Sequence, residues 1–113
     1  MAVTIQKNNV HERDFVKKLD VDFTAENDEV IFHGSNLTAM TIQSVGTHGA
    51  ATIDIRGSND GVTFAALPTA VSLAAAGIKS VAVADLAYRF YKVIELAAAA
   101  TLSVYITFTE RPR

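Results

Sequence analysis

The chain has 113 residues, a net charge of −2 and no cysteine. This length predicts one domain, and the lack of cysteine excludes disulfides, thiolate catalysis and Cys-ligated zinc. Acidic and basic residues are interspersed without a Lys/Arg block, which argues against nucleic acid as a partner.

The hydrophobic half of the composition contains eighteen alanines. Burial stabilises by about 0.8 kcal/mol per methylene group and by roughly 2 kcal/mol per leucine side chain. We therefore expect a weakly stabilising core, supplemented by neighbouring subunits of a homo-oligomer. No apolar run approaches a membrane span and no signal peptide is visible, so we expect no membrane contact and synthesis in a cytoplasm.

Residues 1–12 are predicted to form an extended arm ahead of a domain at 13–113. Val3 and Ile5 alternate with polar neighbours, and the segment then becomes polar throughout. Such an arm is either frayed or adds a strand to a neighbouring subunit. We predict Val3, Ile5 and Lys7 as its partner-contact residues.

Strands are predicted along the rest of the chain by period-2 alternation of apolar residues. Turn-rich segments at 24–29, 34–36 and 46–49 separate the first four, and Pro68 is expected to end the fifth. Short strands at turn-punctuated intervals predict an all-β, single antiparallel β-sandwich. The predicted strands cover residues 15–23, 30–32, 37–45, 51–56, 62–66, 71–73, 78–84 and 102–108.

Residues 85–100 fit two descriptions. Leu86, Phe90 and Ile94 recur at helical spacing behind a capping Asp85, and four alanines follow. The segment 89–94 is rich in β-formers, and the last strand needs an antiparallel neighbour, so we favour a strand. Nothing in the alanine-rich tip of that hairpin is a typical turn residue.

The stretch at residues 56–67, RGSNDGVTFAAL, either turns the chain or binds a ligand. A calcium loop there begins with Arg56 and ends with Leu67, which fails on charge at both ends. The spacings of a phosphate loop and of a nucleophile elbow are also missing. Asp60–Gly61 is a strong hairpin signal, since Gly adopts positive φ without cost. We predict a structural turn at Asn59, Asp60 and Gly61.

Titratable and aromatic side chains form no recognisable site in the sequence. His11, His33 and His48 lack metal-ligand spacing and are expected at the surface, as are Asp20 and Asp22 on one strand face. The acidic residues of the first third are interpreted as a solvated strand face and a loop; these are Glu12, Asp14, Asp20, Asp22, Glu26, Asp28 and Glu29. We predict no catalytic, cofactor-binding or metal-binding residue.

The tyrosines have two readings. Tyr88, Tyr91 and Tyr105 either stack on a sugar or pack in the core and interfaces. The second use is favoured, because the chain has no tryptophan.

The hairpin at residues 57–67 resembles the Gly-Ser-x-Asp-Gly-x-x-aromatic-x-x-Leu hairpin of two groups. One is small virion β-sandwich proteins of tailed bacteriophages, including capsid decoration (cement) proteins; the other is discoidin-like, galactose-binding-like domains. A late strand at 88–94 and a terminal strand at 101–108 are similar too, so the resemblance covers residues 52–108. The short chain, the lack of cysteine and Phe64 in place of a common Trp favour the phage group.

The resemblance implies a jelly-roll-like sandwich that binds the major capsid protein at subunit junctions on the outside of the shell. It implies a homo-oligomeric virion protein made in the host cytoplasm, which needs no cofactor. A tail or head-fibre protein and a carbohydrate-binding module remain as alternatives.

Overall fold

The computed structural model describes residues 16–34 and 37–110. The predicted arm, with Val3, Ile5 and Lys7, lies outside these residues. The described chain forms eight strands and one short 3₁₀ turn. These are β1 (Val16–Phe23), β2 (Glu29–His33), β3 (Leu37–Val45), β4 (Thr52–Ser58), β5 (Ala65–Leu73), β6 (Gly77–Ser80), the 3₁₀ turn (Val83–Asp85), β7 (Phe90–Leu96) and β8 (Leu102–Glu110).

Two antiparallel four-stranded sheets pack face to face. The strand orders are β1–β8–β3–β6 and β2–β7–β4–β5. Strands that are distant in sequence are therefore neighbours, as in a jelly roll built from Greek keys. The predicted fold class, an all-β antiparallel β-sandwich of jelly-roll type, is confirmed.

The core between the sheets is built from large side chains. Alternate residues of each strand point inward, as period-2 patterning requires. Among the described hydrophobic residues that are buried, Ala51 is the single alanine. The expectation of an alanine-rich core was therefore wrong: other alanines lie in exposed turns such as residues 74–76, while Leu, Ile, Val and Phe fill the interior.

The β4–β5 region departs from the sequence-based strands. Residues 62–64 belong to a loop, and Val62 is 82% exposed. Pro68 does not end a strand; it lies within β5, where the register jumps from Val71 opposite Ile55 to Ala66 opposite Arg56. Proline is tolerated there because a bulged edge strand does not need its N–H. β6 likewise ends at Ser80, before the 3₁₀ turn.

The ambiguous segment 85–100 contains β7, so the strand prediction is confirmed over Phe90–Leu96. The alanine-rich tip turns because Ala97 adopts a φ of 75°. The backbone N–H of Ala100 donates to Glu95 Oε2 at 2.9 Å. A buried carboxylate and one left-handed alanine thus replace the missing turn residues.

Candidate interaction face

The β4–β5 loop, where Asn59, Asp60 and Gly61 lie, uses its polar atoms on itself. Asp60 Oδ1 accepts hydrogen bonds from the Ser58 hydroxyl at 2.8 Å and from two backbone N–H groups, of Val62 and Thr63, at 2.9 Å each. These hydrogen-bond donors, of which the Val62 N–H has the largest effect, lower the pKa of Asp60 to about 2. Gly61 has a φ of 77°. Asn59 Oδ1 accepts from the backbone N–H of Arg89 at 3.3 Å, so both of these side-chain oxygens are already hydrogen-bonded within the protein.

A buried polar cluster lies at the end of the sandwich where β3 leads into β4. His48 is buried, contrary to the surface position expected from sequence. Its Nδ1 donates to the carbonyl of Ala51 at 3.0 Å, and its Nε2 is 2.6 Å from Ser44 Oγ. A carbonyl only accepts, so in the neutral ring Nε2 accepts from the Ser44 hydroxyl. Ser44 is buried beneath this loop, so the pair holds the β3–β4 connection.

Two carboxylates lie at the same end. Asp28 is buried, which corrects the solvated position expected for it, and its Oδ2 accepts from the backbone N–H groups of Thr24 and Ala25 at 3.0 Å each. The Thr24 donor is the main cause that lowers the pKa of Asp28.

Glu95 is 0% exposed, and within the described chain its Oε1 has no hydrogen-bond partner. Burial is the main cause that raises the pKa of Glu95. The charge of Asp28 adds to this, while the Ala100 N–H and His48 oppose it.

Two of the three tyrosines belong to the interior. Tyr91 is fully buried, and its hydroxyl donates to the carbonyl of Asp85 at 2.9 Å. Tyr88 packs edge-on against Tyr91, with ring centroids 6.3 Å apart. Asp85 Oδ2 in turn accepts from the Thr69 N–H in the β5 bulge at 2.9 Å. These contacts tie the 3₁₀ turn to the sheet, and they leave Tyr105 as the exposed tyrosine.

The outer face of the β2–β7–β4–β5 sheet is covered by contacts among its own side chains. Lys92 Nζ lies 3.5 Å from Glu29 and 4.5 Å from the centre of the Phe64 ring. The Ser72 hydroxyl donates to Asp54 Oδ1 at 2.8 Å. Lys92, Glu29 and Asp54 are therefore engaged by neighbouring side chains of the same sheet.

The outer face of the β1–β8–β3–β6 sheet, which we call the Tyr105 face, presents apolar side chains to solvent. Tyr105, Val45 and Ile78 are 39%, 45% and 63% exposed. By strand register, Tyr105 lies opposite Gln43, and Gln43 lies opposite Ile78. Much of the remaining face is small: Ala39, Thr41, Ser80, Ser103, Thr107 and Thr109. The result is a broad sheet surface on which exposed apolar side chains are interspersed with small and polar ones.

The polar residues singled out in the sequence are distributed around this face. Asp20 and Asp22 are on it, with Asp20 opposite Tyr105. His33 lies on the other sheet, its ring 4.7 Å from that of Phe90, and His11 lies outside the described residues. Sequence alternation places Tyr105 outward, but Ile78 joins it through the pairing of β3 with β6, which no local pattern specifies.

Two further findings concern the described part of the chain. No three His, Cys, Asp or Glu side chains there are grouped as a metal site requires. No helix in it has the length and apolar character needed to cross a membrane.

The strand order and the two stacked sheets define a jelly-roll β-sandwich protein. No family model matches the sequence, and no curated protein is similar to it. Solved structures are similar in fold.

The prophage SPBc2-derived protein YomS superimposes with a TM-score of 0.63 at 10% identity, over 88% of this chain and 99% of its own. An RmlC-like cupin protein from Desulfovibrio desulfuricans superimposes with a TM-score of 0.50 at 15% identity, over 88% of this chain and 76% of its own. The CBM32 of AlyQ, solved in complex with 4,5-unsaturated mannuronic acid, superimposes with a TM-score of 0.50 at 9% identity, over 84% of this chain and 78% of its own. At these identities the likeness shows the fold alone.

Proposed function

We propose that this protein is a structural protein of a tailed-phage virion that binds the outside of the capsid as a decoration protein. The carrying observation is the Tyr105 face, a broad sheet surface with four exposed apolar side chains, those of Val16, Val45, Ile78 and Tyr105. The resemblance of the hairpin at 57–67 to virion proteins supports the assignment. So does a prophage-derived protein with the same fold along nearly its whole length.

The Tyr105 face suits a wide protein partner better than a small molecule. Protein interfaces are flat, about 800 Å² per partner, and are enriched in tyrosine at their centres. The proposed partner is the major capsid protein, and the proposed location is the capsid surface after synthesis in the host cytoplasm. No catalytic residue or cofactor takes part in this proposal.

A protein that binds the assembled capsid shell, and not its separate subunits, stabilises the shell by that binding. A ligand specific for one state stabilises that state by about 2.7 kcal/mol per site at a hundredfold excess over Kd. Repetition over many equivalent sites makes modest contacts effective.

The first test is the copy number of the protein in purified virions of the phage or prophage that encodes it, measured by mass spectrometry. Capsid decoration predicts copies in the hundreds, because the sites repeat over the shell. Six to a few dozen copies indicate a tail or head-fibre position instead. Absence from the particle contradicts a virion role.

The second test locates the contact. Capsids that lack the protein are titrated with the wild type and with Tyr105→Ala, and Val62→Ala serves as the control. Val62 is an exposed apolar residue on the distant β4–β5 loop. Loss of about tenfold or more in affinity is expected for Tyr105→Ala alone. Equal affinity of all three proteins would remove the Tyr105 face from the proposal.

Carbohydrate binding is the second candidate, favoured by the same tyrosine. The register places Asp20 and Gln43 on either side of Tyr105, and an aromatic ring flanked by polar groups is able to stack on a sugar and hydrogen-bond it. The fold likeness to the AlyQ CBM32 is consistent with it. Saturable binding on a glycan array, abolished by Tyr105→Ala, would replace the capsid proposal.

A further inference from the structure

The two sides of the sandwich differ in how their edge strands are protected. On one side lie β5 and β6, and on the other lie β1 and β2. An open edge offers unpaired backbone groups to another strand, and proteins block it with short strands, bulges, proline and inward-pointing charges.

The β5/β6 side carries all of these devices. β6 has four residues, and β5 contains Pro68 within its register shift. Lys79 pairs with Ile42, whose buried side chain faces inward, so Lys79 also lies on the inner side of its strand. Its Nζ donates to the carbonyl of Ser72 on β5 at 2.7 Å, which closes the gap between the sheets.

β1 carries one of them: Lys17 lies opposite the inward-facing Phe108, and its Nζ is 2.8 Å from Glu110 Oε1 on β8. The eight residues of β1 pair with β8 without a register shift, from Val16 opposite Thr109 to Phe23 opposite Leu102. The strand contains neither proline nor glycine. Within the described residues β8 is its one sheet neighbour, so none of them pairs with the other edge of β1.

The charges of β1 make it complementary to itself in the antiparallel direction. The outward residues are Val16, Lys18, Asp20 and Asp22, basic in the first half and acidic in the second. Antiparallel pairing about Asp20 brings Lys18 of each copy opposite Asp22 of the other, but it also sets the two Asp20 side chains opposite each other, which is unfavourable. Pairing about Leu19 brings Lys18 opposite Asp20 of the other copy. Parallel pairing in register would place like charges together, which destabilises a sheet.

We propose that β1 pairs antiparallel with β1 of a second copy of this chain, which forms one continuous eight-stranded sheet across a twofold axis. An isologous contact of this kind uses the same edge on both partners. The dimer presents two Tyr105 faces on one side of the joined sheet. The inference stands on the edge and its charges, independently of any virion role.

The test is the self-association constant from analytical ultracentrifugation of the full chain, over about a hundredfold range of concentration. The wild type is expected to be a dimer. Lys18→Asp is expected to weaken association by about tenfold or more, since two attractive pairs become repulsive. Reversing every outward charge, with Lys18→Asp, Asp20→Lys and Asp22→Lys together, is expected to restore it.

Arg89→Asp is the matched control, because it makes the same change of net charge at an exposed position outside β1. Circular dichroism and thermal melting verify that each variant is folded. In hydrogen exchange, β1 amides gain protection as the wild-type concentration rises. A monomeric wild type overturns the proposal, whatever the cause. So does a dimer that is insensitive to Lys18→Asp, or one that the full reversal does not restore.

Discussion

Replacing Ala97 by glycine is expected to stabilise the protein. Ala97 has a φ of 75° and is exposed, so removal of its methyl group loses no packing. The left-handed conformation costs an alanine roughly 1–2 kcal/mol. Glycine loses about 0.5–1 kcal/mol through its greater freedom in the unfolded chain. The balance is a gain between about 0 and 1.5 kcal/mol; its midpoint of about 0.75 kcal/mol raises the Tm of a domain of this size by about 3 °C.

Thermal and urea unfolding of the two proteins measure this difference. Ala99→Gly is the matched control in the same exposed turn, because Ala99 is not among the described non-glycine residues of positive φ. There only the entropic term acts, so Ala99→Gly is expected to lose about 0.5–1 kcal/mol. If Ala97→Gly melts at or below the wild-type Tm, the strained-turn explanation of the β7–β8 hairpin is wrong.

Other parts of the molecule give three further predictions. Glu95→Gln is expected to raise the unfolding free energy at pH 7 by about 1–3 kcal/mol, since on folding the Glu95 carboxyl must either bury its charge or take up a proton, and Gln does neither. Burial raises the pKa of Glu95, so the wild type loses stability from this group as pH rises from its unfolded value of 4.5 through the folded pKa. The advantage of the variant in urea unfolding therefore disappears near pH 4, and a gain independent of pH would contradict burial of the charge as its cause. Gly61→Val is expected to lower Tm, because it combines a φ of 77° with a Cβ placed 3.2 Å from the Phe90 ring; an unchanged Tm would disprove this backbone assignment. Tyr91→Phe is expected to cost about 1–3 kcal/mol by calorimetry, since it leaves the carbonyl of Asp85 without its buried donor, and a neutral effect would mean that this bond contributes nothing.

The strands with clear alternation could be predicted because one face of each is buried. Residues 37–45 and 102–108 coincide with β3 and most of β8. The prediction failed where side-chain hydrogen bonds compete with strand pairing. Val62 looked like the start of a strand, but its N–H donates to Asp60, and that bond keeps it in the loop.

The buried polar residues could not be predicted, since their burial depends on which loops meet at one end of the sandwich. Asp28 and His48 come from two connections and Glu95 from the end of β7, and the three are distant in sequence. Each carries a polar group that sequence patterns assign to the surface. The same limit applies to the Tyr105 face: alternation identifies one tyrosine, while its apolar neighbours follow from the pairing of β3 with β8 and β6.

The side-by-side position of Val16 and Thr109 has a consequence for the order of the chain. The described chain begins with β1 and ends with β8, and these two strands pair, so its first and last residues lie close together. A short linker that joins residue 110 directly to residue 16 is therefore sufficient to connect them. New chain ends at the exposed alanines of residues 74–76, between β5 and β6, would then leave every strand pair in place, which makes the protein suited to circular permutation.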